Sequence, residues 1–423
     1  METVELAIRT SVTRLGGSLL EGLLGLDLGH RGTRVDCGGG HLAEFSDYRP
    51  KTIDTVLGPV RLRRAYYYCT ECGHGRLPRD EELGVAGGSL SPGLRRMVDR
   101  VGSQEPFGQG SRDLAELAGL HLTGKRVQRS AEADGESVRT AVEVQAGAVL
   151  AGKVMPLVCS DPVPTLYVAI DGTGVPTIPA DTEGHQGKSP DGRAHTREAK
   201  LGCVFTQTTV DDRGRPIRDS GSSSYVATMT AAADFGPVLY AEAKRRGCDQ
   251  AQRLIVLGDG APWIWNLASE HFPRAIQVVD LYHTREHLYD LARLAFPVTT
   301  DASRRWLATR LAELDCGEVE KLLAAARRLR VSDTQMEEVD KALGYFQTNL
   351  LRMRYARFRQ MGLFVGSGAV EAGCRAVVAQ RMKLSGMRWS VRGAAAIISL
   401  RCQEASDRWE EIWQWLPYQT GVA

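Results

Sequence analysis

The fold is decided by three apolar stretches that each end in an aspartate: YVAIDGTG (167–174), LIVLGDGA (254–261) and IQVVDLYH (276–283). The apolar run in each stretch is typical of a buried β-strand. A carboxylate at the end of such a strand is costly to bury unless it is hydrogen-bonded, paired with a cation or bound to a metal. A fourth acid, Glu371 in GSGAVEAG (366–373), opens a helical stretch rich in arginine.

These four acids are Asp171, Asp259, Asp280 and Glu371, and they come from distant parts of the chain. A single acid of this kind is more often a turn or helix-cap residue than a metal ligand. Four with the same patterning favour one shared site for a hard cation, because Mg²⁺ prefers a few carboxylate oxygens together with substrate phosphate. A magnesium site is therefore the leading hypothesis.

The bulk composition indicates a globular protein. The chain has 423 residues, of which 43% are hydrophobic, so it has room for two or three domains with substantial cores. Its nine cysteines are odd in number and mostly isolated, which does not resemble a disulfide framework. No apolar run is long enough to span a bilayer, and METVELAIRT lacks a signal-peptide pattern. We expect a reduced, cytoplasmic protein with no membrane partner.

The charge is unevenly distributed, although the net charge is only +2. Between Leu351 and Arg401 the only acid is Glu371, whereas a solvated helical face normally mixes both signs. This pattern predicts that a polyanion such as DNA lies across the stretch. The basic residues in it are Arg352, Arg354, Arg357, Arg359, Arg375, Arg381, Lys383, Arg388, Arg392 and Arg401.

A cysteine pair points to a second kind of metal site. Cys69-x-x-Cys72 closes a predicted strand and precedes a glycine, which suits a zinc knuckle. Cys37 with His41 is the obvious source of two further ligands, and His74 is a competing fourth ligand. A redox pair is the alternative, but no thioredoxin-like βαβ pattern surrounds the motif. If zinc is bound, the small segment should depend on it for folding.

A helix-turn-helix is a weaker prediction for SRDLAELAGLHLTGKRVQRSAEADG (111–135). A short helix, a turn through Gly119 and a second helix would form the motif. An ordinary helical pair is the alternative, since acidic residues follow the basic ones. The side chains that would face DNA are Lys125, Arg126 and Arg129.

Several motifs, taken together and in this order, resemble the bacterial insertion-sequence transposases of the Kra type. Those proteins are DDE enzymes with an RNase H-like core, similar to the Mutator-like transposases, and the resemblance covers nearly the whole chain. The motifs are LGPVRLRRAYYYCTECGHG (57–75), AIDGTGVP (169–176), EAKLGCVFTQ (198–207), GDGAPWIWNLASEHFP (258–273), VVDLYHTREHL (278–288), GSGAVEAGC (366–374) and KLSGMRWSVRGA (383–394).

The resemblance implies that Asp171, Asp259 and Glu371 form a catalytic triad that holds two Mg²⁺ or Mn²⁺ ions. Asp280 and His283 match the family's C/D-x-x-H signature and would shape the site or position a nucleotide. The structural alternative is that Asp280 caps the helix that follows, with His283 packed nearby.

The resemblance also implies the fold class: an α/β, RNase H-like mixed-sheet core, interrupted by an all-α insertion and preceded by a zinc-ribbon-like segment and a helical DNA-binding region. The expected domains are an N-terminal helix (1–28), the zinc-ribbon-like segment (29–85), the helical region (86–150), the first part of the core (151–290), the helical insertion (291–361) and the second part of the core with C-terminal helices (362–423).

The implied partner is double-stranded DNA, both the element ends and the target, bound by a homo-oligomer in the bacterial nucleoid. Arginine contacts phosphate bidentately and indole stacks on an unpaired base, although Trp389 could instead anchor the core. A metal-dependent nuclease or resolvase, or a non-catalytic DNA-binding protein derived from a transposase, are the alternatives. The predicted contacts near Glu371 are Arg381, Lys383, Arg388, Trp389 and Arg392.

Overall fold

The computed structural model describes residues 1–153, 162–187, 192–296, 298, 300–329 and 331–416. The chain folds into two compact units, one formed by 1–141 with the C-terminal residues from Arg408, the other by 142–407. The predicted final domain, 362–423, is therefore divided at Asp407, and its last residues, 417–423, lie outside the described part. Both units contain sheets and helices, so the mixed α/β class is confirmed.

The first unit begins with a long helix, α1 (Glu2–Gly25), followed by a four-stranded antiparallel sheet in the order β1-β2-β3-β4. Helix α1 approaches the β2–β3 hairpin closely at Gly17, where a Cβ would lie 3.1 Å from the carbonyl oxygen of Leu57. Glycine therefore permits this packing. The strands are β1 (Arg34–Asp36), β2 (Leu42–Thr55), β3 (Gly58–Tyr68) and β4 (Gly75–Arg76).

Helices complete the first unit. A buried apolar cluster that includes Leu94, Leu114 and Val127 joins α3, α4 and α5. Gly119 ends α4 in the left-handed conformation at φ 69° and begins the turn that leads to α5. The helices are α2 (Pro78–Glu82), α3 (Pro92–Gln104), α4 (Phe107–Ala118) and α5 (Gly124–Leu150), which continues into the second unit, with a 3₁₀ turn (Trp409–Glu411) and α16 (Ile412–Trp415) at the C-terminal end.

A five-stranded mixed sheet, in the order β11-β10-β5-β6-β9, is the centre of the second unit. Strands β5, β6 and β9 pair antiparallel, while β10 and β11 run parallel to β5. The central strand is buried from Leu166 to Ile170, as its continuous apolar run predicts. The strands are β5 (Thr165–Pro176), β6 (Thr196–Gln207), β9 (Ser224–Thr228), β10 (Arg253–Gly258) and β11 (Ile276–Val279), with a separate hairpin of β7 (Thr209–Val210) and β8 (Pro216–Ile217).

The helices of the second unit fall into three groups. The first group is α6 (Ala232–Arg245), α7 (Pro262–His271) and α8 (Leu281–Ala295). The second occupies the predicted insertion: α9 (Asp301–Asp315), α10 (Val319–Ala326), α11 (Asp333–Thr348) and α12 (Tyr355–Gln360). The third is α13 (Gly368–Gly373), a π-helical stretch (Cys374–Ala379), α14 (Gln380–Met382) and α15 (Val391–Ala405). Among the described residues, no helix combines the length and the apolarity needed to cross a membrane.

Candidate functional site

The strand register brings three of the predicted acids to one edge of the central sheet. Ala169 of β5 pairs with Leu257 of β10, and Gly258 of β10 pairs with Val279 of β11. Continued past the strand ends, this register sets Asp171 beside Asp259 and Asp259 beside Asp280. Neighbouring strands are about 4.8 Å apart. Three adjacent parallel strands therefore carry three neighbouring aspartates, one within β5 and one directly after each of β10 and β11.

Asp171 lies on β5, the central strand of the five-stranded sheet. Its Oδ1 accepts a hydrogen bond from the backbone N–H of Gly172 at 2.7 Å, and its Oδ2 accepts one from the Cys374 thiol at 3.2 Å. Burial raises the pKa of Asp171, these two hydrogen bonds lower it, and the charges of Asp259 and Glu371 raise it further. The three predicted triad members are thus near enough to act on one another electrostatically.

The loop that carries Asp259 is held by the helical insertion. The Asp259 carboxylate accepts a hydrogen bond from the backbone N–H of Ala261 at 2.9 Å, and the hydroxyl of Tyr345, on α11, donates to the Asp259 carbonyl at 2.9 Å. Gly260 between them has φ 106°, and a Cβ there would lie 2.5 Å from the Tyr345 ring. Glycine is therefore required at this turn.

Asp280 connects two helices. Its Oδ1 accepts a hydrogen bond from the backbone N–H of His283 at 2.6 Å, which caps α8. Its Oδ2 accepts one from the backbone N–H of Ser367, and the Ser367 hydroxyl donates to Glu371 Oε1 at 2.7 Å. Asp280 is only 1% exposed. These contacts favour the structural interpretation of Asp280, as the residue that orients the start of α13 and thereby Glu371.

His283 does not contact Asp280 through its ring. Its Nδ1 lies 3.3 Å from Glu286 Oε2, and the ring meets His287 edge-on at 4.9 Å between centroids. His287 stacks on Tyr345 at 3.9 Å, and burial lowers the pKa of His287. The histidines therefore line the side of the site formed by α8 and α11.

The carboxylates of Asp171, Asp259 and Glu371 form a less compact group than the cysteine and histidine side chains of the first unit. In the described part of the chain, the group whose potential metal-binding atoms all lie within 4.8 Å of one another is Cys37, His41, Cys69 and Cys72. The acids are instead connected through the register of β5 and β10 and through the hydrogen bonds that Cys374 and Ser367 donate to Asp171 and Glu371.

The cysteine and histidine cluster is assembled from two hairpin tips. The Cys37 N–H donates to the His41 carbonyl at 3.0 Å between β1 and β2, and the Gly73 N–H donates to the Cys69 carbonyl at 3.0 Å between β3 and β4. The thiol of Cys72 lies 3.6 Å from that of Cys37. The predicted group of four is confirmed as one that could bind a metal ion such as zinc, and the competing candidate, His74, is not part of it.

His41 has the orientation of a ligand. Its Nδ1 is buried and has no hydrogen-bond partner, while its Nε2 lies 3.5 Å from Glu71 Oε2. Histidines that bind metal commonly direct the second ring nitrogen to a carboxylate. A hydrogen bond from the Gly39 N–H lowers the pKa of Cys37 to about 7, which favours the thiolate that zinc requires. The donor set therefore fits a structural zinc ion.

Two of the predicted DNA contacts are wrong. Arg381 is fully buried, with its guanidinium 4.7 Å from the Trp389 ring, and Trp389 is 4% exposed. The Trp389 indole donates to the Met382 carbonyl at 3.2 Å. Trp389 is thus the core anchor that was the alternative interpretation, and Arg381 packs on it, so neither side chain can reach DNA.

Seven of the other basic residues fall into two sets, three that are engaged within the fold and four that are exposed near Glu371. Arg354 pairs with Glu320, Arg359 lies 3.4 Å from Asp315, and Arg401 donates to the carbonyl of Val377 at 2.7 Å. These arginines stabilise the fold, which corrects the interpretation of the whole stretch as one polyanion surface. The exposed members near Glu371 are Arg375, Lys383, Arg388 and Arg392.

The helix–turn–helix basic residues also differ from one another. Arg126 forms an ion pair with Asp54 at 2.5 Å and donates to Ser89 Oγ. Lys125 and Arg129 are exposed on α5, and Lys125 contacts Gln128 at 3.2 Å. Arg126 is therefore engaged within the unit, and Lys125 and Arg129 remain the predicted DNA contacts.

Three residues of the site were not predicted from the sequence: Cys374, Ser367 and Tyr345. Cys374 follows Glu371 by three positions and Ser367 precedes it by four, so helical spacing places them on its face. That signal was available in the sequence. Tyr345 gave none, because only the tertiary packing of α11 brings it to Asp259.

A known family matches only part of the chain. A model of an uncharacterised protein family (UPF0236) matches residues 240–413, which contain Asp259, Asp280 and Glu371 but not Asp171. A search of curated proteins found no match to the chain. Over residues 240–413 the chain is therefore similar to a family whose description assigns no activity.

Proposed function

We propose that this protein is a DDE transposase that cleaves and joins DNA at the ends of an insertion sequence. The observation that carries the proposal is geometric: the register of β5 and β10 sets Asp171 beside Asp259, and the thiol of Cys374, three residues after Glu371, donates to the Asp171 carboxylate. We further propose that the five-stranded sheet is an RNase H-like core. Its three antiparallel and two parallel strands, and the helices between β11 and α13, support this assignment.

Asp171, Asp259 and Glu371 would hold two divalent cations. Bound Mg²⁺ would neutralise charge on the attacking and leaving oxygens of an in-line displacement at phosphorus. The donor set fits, because burial and, to a smaller extent, the charges of Asp259 and Glu371 raise the pKa of Asp171, and a bound cation would stabilise its charged form. The protein would orient Glu371 through Ser367 and Asp280, and Asp259 through Tyr345.

The proposed reaction has two steps. In the first, the oxygen of a water molecule bonds to phosphorus at the element end and the P–O3′ bond breaks, which leaves a 3′-hydroxyl and a 5′-phosphate. In the second, this hydroxyl attacks a phosphodiester of target DNA, forming one bond and breaking another. Exposed Lys383, Arg388 and Arg392 lie close along the chain to Glu371, and we propose that they contact phosphates of the bound DNA.

The first unit would recognise the element ends. We propose that its cysteine and histidine cluster holds a structural zinc ion and that Lys125 and Arg129 face DNA. The hairpin tips and the three-helix cluster offer recognition elements separate from the acids, which suits a catalytic core that must act on variable target sequences.

The test is strand cleavage and joining with labelled duplexes taken from the DNA that flanks the coding sequence. Asp171→Asn should abolish cleavage in Mg²⁺ or Mn²⁺ while leaving binding to these duplexes intact. Asp212→Asn, at an exposed acid outside the site, is the matched control and should cleave normally. Cleavage retained by Asp171→Asn would refute the triad.

A second assay separates transposition from simple nuclease activity. Duplexes with pre-cut 3′-hydroxyl ends and a supercoiled target plasmid should give a joined product with the wild-type protein. Cleavage without this product would identify a nuclease, and binding without either product would identify a DNA-binding protein that has lost catalysis.

A further inference from the structure

Helix α1 exposes a continuous apolar stripe to solvent. The stripe, named here the α1 stripe, is formed by side chains that are 58% to 83% exposed. They recur at spacings of 4, 4, 3, 4, 4 and 3 residues, so on a helix they fall within an arc of roughly 100°. The members are Val4, Ile8, Val12, Leu15, Leu19, Leu23 and Leu26.

The opposite side of α1 is already held by its own unit. Gly17 packs on Leu57, the Arg9 guanidinium donates to the Leu117 carbonyl at 2.6 Å, and Glu21 accepts from the Arg61 N–H at 2.9 Å. These contacts fix the rotation of the helix about its axis. The α1 stripe therefore cannot turn inward without breaking them.

The size of the stripe indicates a partner. Burying a valine, leucine or isoleucine side chain removes on the order of 100 Å² from water. Seven side chains, each more than half exposed, would supply several hundred Å² per protomer, most of the roughly 800 Å² per partner of a stable interface. Patches of this size on soluble proteins usually mark an interaction site.

We propose that the α1 stripe joins two copies of this chain as an antiparallel helix pair. Its eleven-residue repeat keeps the apolar side chains aligned along a nearly straight helix, so that two copies bury the whole stripe. In an antiparallel pair Leu15 lies at the two-fold axis and Val4 faces Leu26. A parallel pair would instead bring together the acidic first turns, which contain Glu2 and Glu5.

A lipid surface is the competing partner, and the charges disfavour it. Helices that lie on membranes carry lysine and arginine on their polar face. Helix α1 has three glutamates, two arginines and no lysine. A second copy of the same chain requires no such charge. The dimer does not depend on the proposed transposase activity, because it is measured without DNA or divalent cations.

Sedimentation velocity of the full chain tests the proposal. The wild-type protein should sediment as a dimer, and the double variant Leu15→Glu/Leu19→Glu should weaken association by on the order of a hundredfold or more, since charged groups would have to be desolvated. Thr10→Glu, at an exposed position on the side of α1 away from the stripe, is the matched control and should remain dimeric. A monomeric wild type, or a double variant that still dimerises, would overturn the proposal.

Two further measurements keep the result decisive. If the double variant fails to show the wild-type circular dichroism spectrum, oxidation of Leu15→Cys replaces it and should give a disulfide-linked dimer that Thr10→Cys does not form. Absence of that product would reject the interface, and self-linking of Val4→Cys would reject the antiparallel arrangement. A monomer that floats with vesicles of phosphatidylcholine and phosphatidylglycerol would assign the stripe to a lipid surface instead.

Discussion

The thiol of Cys374 donates a hydrogen bond to Oδ2 of Asp171 at 3.2 Å. This contact joins the π-helical stretch after Glu371 to the central strand, and it lowers the pKa of Asp171 against the effect of burial. It is therefore the direct structural connection between two parts of the proposed triad that lie 200 residues apart in sequence (171 and 371). π-Helical turns often occur at functional sites.

Removal of the Cys374 thiol should weaken metal binding at the site. Cys374→Ala deletes one donor to the Asp171 carboxylate, worth about 1 kcal/mol. The Mg²⁺ concentration that gives half-maximal DNA cleavage should therefore rise several-fold. Cys374→Ser, which keeps a donor, should stay close to wild type. If the alanine variant and the wild type need the same Mg²⁺ concentration for half-maximal cleavage, the contact does not affect metal binding by Asp171.

The main role of Asp280 should be to stabilise the fold. Its buried carboxylate accepts two backbone hydrogen bonds, one that caps α8 and one from Ser367. Asp280→Ala should lower the free energy of unfolding by about 3 kcal/mol, the sum of a cap and a hydrogen bond to a charged group. Urea denaturation measures this loss, with Asp212→Ala as the exposed control. A fully stable variant that has lost cleavage would instead favour a direct role in the site.

Zinc removal should unfold the small sheet of the first unit. Mass spectrometry of the purified protein should find about one zinc ion per chain, as expected for a four-ligand structural site. Cys69→Ser and His41→Gln should lose the metal and lower the melting temperature. Cys316→Ser, at an exposed cysteine, and His74→Gln should retain it. A metal-free wild type with an unchanged melting temperature would contradict the site.

Asp99 should make the first unit more stable at low pH. It is fully buried, and burial together with the charge of Asp134 holds its pKa well above the usual value of 3.8. A raised folded-state pKa gives stability that is fully present below the unfolded-state pKa and is lost as pH rises through the folded-state pKa.

Asp99→Asn should therefore unfold at a higher denaturant concentration than wild type at neutral pH, and the two should converge near pH 4. Denaturation midpoints measured across this range test the sign. The exposed Glu116→Gln is the control and should run parallel to the wild type. A gap between Asp99→Asn and wild type that widens as the pH falls would show that the buried carboxyl is not the protonated form.

Substitutions of exposed basic residues and of a buried basic residue should have different effects on DNA binding and on stability. Lys383→Ala and Arg388→Ala should each reduce the slope of log affinity against log salt by about 1, with little change in stability. Arg381→Ala should instead lower the free energy of unfolding by at least about 2 kcal/mol, because it removes a buried side chain packed on Trp389. Unchanged DNA binding by both exposed variants would remove this surface from the proposal.

Local sequence patterns were sufficient to predict the strands that carry the acids, the helical insertion and the cysteine and histidine cluster. Apolar runs ending in aspartate predicted β5, β10 and β11, and the helical insertion lacks strands in its described residues. Cysteine spacing predicted the metal-binding group, because two hairpin tips bring their ligands together by short-range geometry. Glycine at positions 119 and 260 reflects backbone angles that a sequence can indicate.

Tertiary structure alone decided which charges face solvent and which acids meet. The run of arginines was uniform in sequence, yet Arg381 and Arg401 are buried while Lys383 and Arg388 are exposed, because their places depend on packing between remote helices. The register between strands, which sets Asp171 beside Asp259, is likewise a long-range property. The sequence determined the side-chain chemistry of each residue, and tertiary packing determined where that chemistry can act. Contacts between distant segments produce no local periodicity, so a sequence pattern does not predict them.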